Sequence, residues 1–357
     1  MSKKIVLRLW APLLLVALIV LVVAGCGSSS SSSSSSTASS ESSSSGESGS
    51  SEASGEAPKA AVLYHTLTDF TTPQIAAEKK VIEAAGGTIQ DFNANFDPQK
   101  QLTQCQDAIT SQRYNVIIIA AADSPSAVPC AEQAKAAGIP VIAVNNPVGP
   151  SRTEVAPQLE AVLGSSVISP PDDAKYSFEI AEKACKGIAH CKWAIEMGEG
   201  SAPLDSTRTK ELEEDAEKSS NIEIVQVTEA GYDPGKTAEL VPQVLSANPE
   251  LDVYSFESDT NALAAVPAVK EAGLTSQVKL IGDGASVAGI EGVKNGSLFG
   301  TVASFPVSMG EEAARMAVEA VQKGAVENNA VNMFELGEPL TIYKDNAAGF
   351  EPQWGEG

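Results

Sequence analysis

Apolar residues in this chain fall into short runs that alternate with segments of helical period. Residues 60–64 (Ala-Ala-Val-Leu-Tyr) predict a buried strand. Residues 73–85 then carry Ile75, Ala76, Val81, Ile82 and Ala85 at helical spacing, and the pattern stops at Gly86-Gly87. Residues 88–92 predict a second strand. Asp97-Pro98 opens a helix through Leu102, Cys105 and Ile109, and residues 116–120 form a β-branched, wholly apolar run. A helix over about 126–137 ends at Gly138, and residues 140–144 predict the next strand. This strand–helix rhythm belongs to a doubly wound parallel sheet.

The rhythm then restarts. Residues 162–167 predict a short strand, and Pro170-Pro171-Asp172-Asp173 breaks it and caps a helix over 174–186. Further strands are expected over 193–197, 222–227, 251–256, 278–281 and 298–305, with 341–343 as a last one. Helices are expected over 207–218, 235–247, 261–272, 286–295 and 307–323. One large sheet would need a single core larger than domains usually sustain. The expected fold class is therefore α/β, with two doubly wound parallel-sheet domains.

The first sixty residues lack this pattern. Lys3, Lys4 and Arg8 precede an apolar stretch over 9–23, interrupted by Pro12 and ending in Val23-Ala24-Gly25-Cys26. Small residues before a cysteine make a lipobox, so residues 1–25 are expected to be a lipoprotein signal peptide and Cys26 the lipidated residue. The apolar stretch is short for an uncleaved transmembrane helix. Residues 26–57 are otherwise Ser, Gly, Glu, Ala and one Thr, a composition that cannot bury a core and is expected to act as a disordered tether.

Composition narrows the chemistry. A formal charge of −22 argues against nucleic acid as a partner. The two histidines, His65 and His190, have no metal-type partner at fixed spacing. Cys185, His190 and Cys191 supply three soft ligands, one short of a closed zinc site. Gly198-Glu199-Gly200-Ser201-Ala202 lacks both the lysine of a phosphate loop and the central serine of a nucleophile elbow. Glu213-Glu214-Asp215 reads as a solvated helix face. No catalytic constellation stands out, so no enzyme activity, cofactor or metal is expected.

Export makes the four cysteines after Cys26 candidates for two disulfides. Three pairings are possible. Cys105 and Cys130 each lie in the first turns of neighbouring helices that run the same way on one sheet face, hence at equal height. Cys185 ends a helix and Cys191 begins the next strand. Crossed pairings would tie the two domains together. Cys105–Cys130 and Cys185–Cys191 are expected.

In doubly wound sheets the ligand crevice lies beyond the carboxyl ends of the strands. The loops there are residues 64–72, 120–126, 145–147, 197–208, 231–233, 257–261 and 282–285, rich in Asp, Asn, Ser and Thr. Single hydrogen-bonding groups from many loops suit a small, hydroxyl-rich ligand, although helix caps use the same residue types.

Several local features carry a family resemblance: His65-Thr66-Leu67-Thr68-Asp69-Phe70 after the first strand, Ala122-Asp123-Ser124 after the third, Gly138-Ile139-Pro140-Val141-Ile142 before Asn145, Gly231-Tyr232-Asp233, Ile281-Gly282-Asp283-Gly284 and Gly300-Thr301-Val302-Ala303. In this order, behind a lipobox, the chain resembles the type I periplasmic binding proteins, in the ribose-binding-like branch that serves ABC sugar importers. The resemblance implies a sugar- or polyol-like ligand, an ABC permease as partner, a monomer, and a membrane contact through the lipid anchor. It also implies three crossovers between domains, near residues 167–171, 304–306 and 337–340. These divide the body into an N-terminal lobe of 58–167 plus 305–337 and a C-terminal lobe of 168–304 plus 338–357. By the resemblance Arg208 would grip ring hydroxyls, Asp283 would accept hydroxyl hydrogens, and Phe70 and Tyr232 would stack on the ligand. Asn145 and Asn146 stand where the ribose type has Asp-Arg, Ser304 where a Gln is expected and Ser258 where an Asn is expected, so the ligand is not expected to be ribose in the same pose. His65, Asp69 and Asp123 complete the expected ligand set. A repressor of the same fold would need a basic helix-turn-helix in place of the signal peptide and poly-Ser. A lipoprotein that signals to a membrane receptor or histidine kinase is the alternative role.

Overall fold

The computed structural model describes residues 55–355. The signal peptide, Cys26 and nearly all of the Ser-rich segment lie outside the described residues. The body begins with strands β1 (Lys59–Tyr64), β2 (Thr88–Asn93), β3 (Val116–Ala120), β4 (Val141–Asn145) and β5 (Val162–Val167). A second set follows: β6 (Cys191–Met197), β7 (Ile222–Glu229), β8 (Val253–Phe256), β9 (Lys279–Gly284) and β10 (Gly300–Ala303). Two short strands, β11 (Ala330–Asn332) and β12 (Thr341–Ile342), end the series. They form two six-stranded sheets, in the orders β11-β5-β4-β3-β1-β2 and β12-β10-β9-β8-β6-β7. Every pairing is parallel except that of β10 with β12.

The helices are α1 (Thr71–Ala84), α2 (Pro98–Thr110), α3 (Val128–Ala136), α4 (Pro170–Ala184), α5 (Pro203–Lys218), α6 (Pro234–Ala247), α7 (Asp259–Glu271), α8 (Val287–Asn295) and α9 (Pro306–Lys323). Helices on both faces explain the wholly apolar strands, since a central strand has no solvent side. Ala60, Val62 and Tyr64 of β1 enter one layer of the core while Ala61 and Leu63 enter the other. Helix α9 returns to the first sheet, where it packs on α1, β3, β4 and β5. The chain therefore passes between the lobes three times: from β5 to α4, from β10 to α9, and from β11 to β12. Among the described residues, no helix is long and apolar enough to cross a membrane.

Three departures from the sequence-based expectation matter for the site. Helix α5 starts at Pro203, not at residue 207, because proline suits the first helical position, where its missing N–H costs nothing. Asp205 and Arg208 thus share one helix face. Strand β9 continues to Gly284 and carries Asp283 inside the sheet. The edge strand β11, of three residues, has no expected counterpart. Both disulfides are present, with Cα–Cα distances of 5.9 Å for Cys105–Cys130 and 5.6 Å for Cys185–Cys191.

Glu78 of α1 is fully buried and accepts a hydrogen bond from the Tyr64 hydroxyl at 2.7 Å. Burial pushes its carboxyl up to about 8, against the pull of that hydrogen bond. A group whose pKa rises on folding stabilises the fold below its unfolded value and loses that contribution as pH climbs through the folded one. Melting temperature should therefore fall between about pH 5 and pH 8, and Glu78→Gln, which keeps the acceptor for Tyr64, should flatten that slope. Circular-dichroism melts across this range check it; parallel slopes in the two proteins would remove Glu78 as the cause.

Candidate ligand-binding cleft

The carboxyl ends of both sheets face a cavity of about 400 Å³. From the first lobe it is lined by the loop after β1, His65 to Phe70, together with Phe96, Asn145 and Asn146. From the second lobe come Asp173, Asp205, Tyr232, Glu257, Ser258, Thr260 and Asp283. Ile168 and Ser304, in two of the crossover segments, and Trp354 of the C-terminal tail line it as well.

Three contacts join the lobes across this opening. The rings of Phe96 and Tyr232 lie parallel, 6.3 Å apart and 6° from coplanar. Phe70 meets Trp354 edge to face at 5.4 Å, and the Thr260 hydroxyl donates to Asp69 at 3.0 Å. Trp354 is held by its indole N–H, which donates to the carbonyl of Gly284 at 2.5 Å. A Cβ at Gly284 would stand 2.2 Å from that ring, so only glycine admits it. Gly198 plays the same part for Tyr232, whose ring would lie 2.3 Å from a Cβ there. Asn145 and Tyr232 themselves adopt left-handed backbone, with φ of 62° and 61°. Such conformations cost energy for residues other than glycine and recur where a side chain must be aimed at a site.

Arg208 anchors the wall of the second lobe. It is 1% exposed and does not itself reach the cavity. Its guanidinium donates to Asp173 at 3.1 Å, to Asp283 at 2.8 Å, to the Ser177 hydroxyl at 2.7 Å and, in a short contact, to Glu257. Asp205 adds a further carboxylate, accepting from the Tyr232 hydroxyl at 2.5 Å and from the Glu199 backbone N–H. Burial pushes the carboxyls of Asp205, Glu257 and Asp283 upward; for Glu257 and Asp283 this outweighs the pull of Arg208. Burial would lower the Arg208 pKa, but the surrounding carboxylates raise it and keep it charged. His65 is pushed down to about 4 by burial and is neutral.

Of the expected ligand set, His65, Asp69, Phe70, Asn145, Asn146, Tyr232, Ser258, Asp283 and Ser304 all line the cavity. Ser258 also caps α7, through its hydroxyl and the Asn261 N–H. Two expected residues stand elsewhere. Arg208 lies behind the carboxylates, its fork spent on them. Asp123 is outside the lining: it accepts from the Ser126 N–H and pairs with Arg152 at 2.5 Å, which anchors the turn before α3. Among the lining residues outside the expected ligand set are Phe96, Asp173, Asp205, Glu257, Thr260 and Trp354. Asp205 and Glu257 fall in the segments 197–208 and 257–261 that the sequence marks as strand-end loops, and could have been weighed there. Asp173 has the look of an ordinary helix cap, and Trp354 lies past the last recognisable element.

Two lobes of parallel sheet, joined by three segments and enclosing a polar cleft, define a solute-binding architecture. The chain belongs to the periplasmic binding protein family: the family's domain profile, described as periplasmic binding protein domain, matches residues 60–325. It is 27% identical over 269 residues to a putative rhizopine-binding protein of Rhizobium meliloti, covering 74% of this chain and 83% of that one. It is 24% identical over 268 residues to the ribose import binding protein of Escherichia coli, covering 74% and 84%. Its fold matches an ABC transporter solute-binding protein of Bacillus halodurans, solved with bound myo-inositol, with a TM-score of 0.72, 22% identity, and coverage of 84% and 98%. The Escherichia coli relative is an import binding protein and the Bacillus halodurans one an ABC transporter solute-binding protein, and the chain stands with binding proteins rather than with enzymes.

Proposed function

We propose that this protein is an extracytoplasmic, lipid-anchored binding protein that captures a small sugar- or polyol-like ligand between its lobes and delivers it, as a monomer, to an ABC permease. The observation that carries this reading is the cavity of about 400 Å³, enclosed by both lobes and lined by hydrogen-bonding groups beside aromatic rings. A polyol needs that combination: polar partners for its hydroxyls and flat apolar faces for its C–H surfaces. Asn145, Asn146 and Asp283 act as hydrogen-bonding partners, and Phe70, Tyr232 and Trp354 as the apolar faces. Binding in a cleft between hinged lobes also lets the ligand select a closed form that a permease can recognise.

A thermal-shift panel of sugars and polyols tests it. At one hundred times its Kd a ligand stabilises the folded state by about 2.7 kcal/mol, a rise of roughly 5 °C for a protein of this size. A panel without any such rise would remove the polyol reading. Anchoring is tested separately. Cys26→Ser should abolish incorporation of labelled fatty acid and leave the precursor uncleaved, read by gel mobility and mass spectrometry; a variant that still acquires lipid would refute the lipobox.

A further inference from the structure

The wall that the second lobe presents to the cleft is made of hydrogen-bond acceptors whose natural donors are already used. Asp173, Asp205, Glu257 and Asp283 all reach the cavity, with Asp69 opposite, and among the described residues no lysine or arginine lines it. Arg208 is turned away into its carboxylates and Ser177. The Tyr232 hydroxyl is spent on Asp205, the Trp354 N–H on Gly284 and the Thr260 hydroxyl on Asp69. The Ser258 hydroxyl stands 3.0 Å from the Asn261 side-chain oxygen. Glu257, only 8% exposed, has no donor for its second oxygen, Oε1, among the described residues.

A neutral hydroxyl both donates and accepts, and apart from protons on the carboxyls themselves the described side chains of this wall offer it no free donor. An ammonium group has three donors and no acceptor, and carries the charge that the surplus of carboxylates calls for. A bare metal ion is a poorer fit, because among the described residues no three acidic, histidine or cysteine groups are placed to hold one. The amides of Asn145 and Asn146, on the facing wall, suit the hydroxyls of the same molecule.

We propose that the ligand is a cationic amino-polyol, with its ammonium lodged against Asp205, Glu257 and Asp283 and its hydroxyls turned toward the first lobe. This rests on the polyol reading above and narrows it to one chemical class. Burial pushes Asp205, Glu257 and Asp283 toward their protonated forms, so an arriving ammonium takes the place of a proton, which passes to solvent. The charged groups facing this point are Arg208 from α5, Asp173 from α4, Asp259 from α7 and Asp69 from the first lobe.

The test is titration calorimetry of the full lipid-free body at pH 7 with matched probes: D-glucose against D-glucosamine, D-galactose against D-galactosamine, and myo-inositol against its amino-deoxy derivative. N-acetylglucosamine serves as the uncharged control. At least one amine is expected to bind tenfold or more tightly than its neutral twin. Its apparent enthalpy should change between phosphate and Tris buffers, as proton release requires, and its advantage should shrink in Glu257→Gln. If that variant is unstable, the acetylated control still decides, since it keeps the amine's position and removes its charge. Neutral members binding as tightly as their amines, or tighter, would overturn the inference and leave the polyol reading standing. No binding by any member, neutral or charged, would overturn the polyol reading and this inference with it.

Discussion

Arg208→Ala is expected to cost about 3–5 kcal/mol of stability at pH 8 and to weaken ligand binding at least tenfold. The guanidinium is 1% exposed and is the one positive group in contact with Asp173, Glu257 and Asp283 among the described residues. Removing one partner of a buried ion cluster leaves the others charged and without compensation, which is far more costly than never having had the cluster. The carboxyls can answer only by taking up protons, so the loss should be smaller at pH 5 than at pH 8. Urea unfolding at the two pH values checks this. Equal stability of parent and variant at pH 8 would mean that the cluster is held together by something other than Arg208. Binding should fall even though Arg208 does not line the cleft, because the oxygens it positions do. An alanine variant with unchanged affinity and normal fold would separate the cluster from recognition.

The two disulfides should differ in their contributions. Each constrains the unfolded chain in proportion to the logarithm of the loop it closes. Cys105 and Cys130 are 25 residues apart and Cys185 and Cys191 only six. Replacing the first pair by serine should therefore cost about 3–4 kcal/mol and the second about 2 kcal/mol. Each bridge lies within a single lobe, the first in the N-terminal and the second in the C-terminal one, so neither replacement should change ligand affinity measured below the melting transition. Thermal melts of the two double variants, with calorimetry on any ligand found, give the comparison. A larger loss from the short loop would point to strain or residual structure in the reduced chain in place of loop entropy.

Much of the architecture was legible in the residues. The wholly apolar runs at β3 and β4, the caps at Asp97, Asp233 and Ser286 and the glycines after α1, α3 and α8 mark element ends by local rules of solvation and backbone geometry. The same rules placed the cysteines at equal heights on α2 and α3, so their pairing followed from the βα rhythm. The strand-end loops were legible as a candidate site for the same reason: in a doubly wound sheet every such loop points to one edge. Glu257 and Asp205 were within those loops, yet nothing local distinguishes them from the many solvated acids of a chain with a formal charge of −22.

What the amino-acid sequence by itself determined is thus the list of elements, their alternation, the restart that makes two lobes, and the edge at which a ligand would sit. These depend on period, capping and burial within a few turns of chain. Tertiary structure alone decided which side chains meet: that Arg208 faces inward to Asp173, 35 residues earlier, and to Asp283, 75 later, while Asp123 turns aside to Arg152. It also decided that Trp354 returns from the end of the chain to cover the cleft beside Phe70. The physical reason is that a charge or a ring carries no mark of its partner. Its environment is set by burial and by distances between segments far apart in sequence, and those exist only once the two sheets have closed on a common cleft.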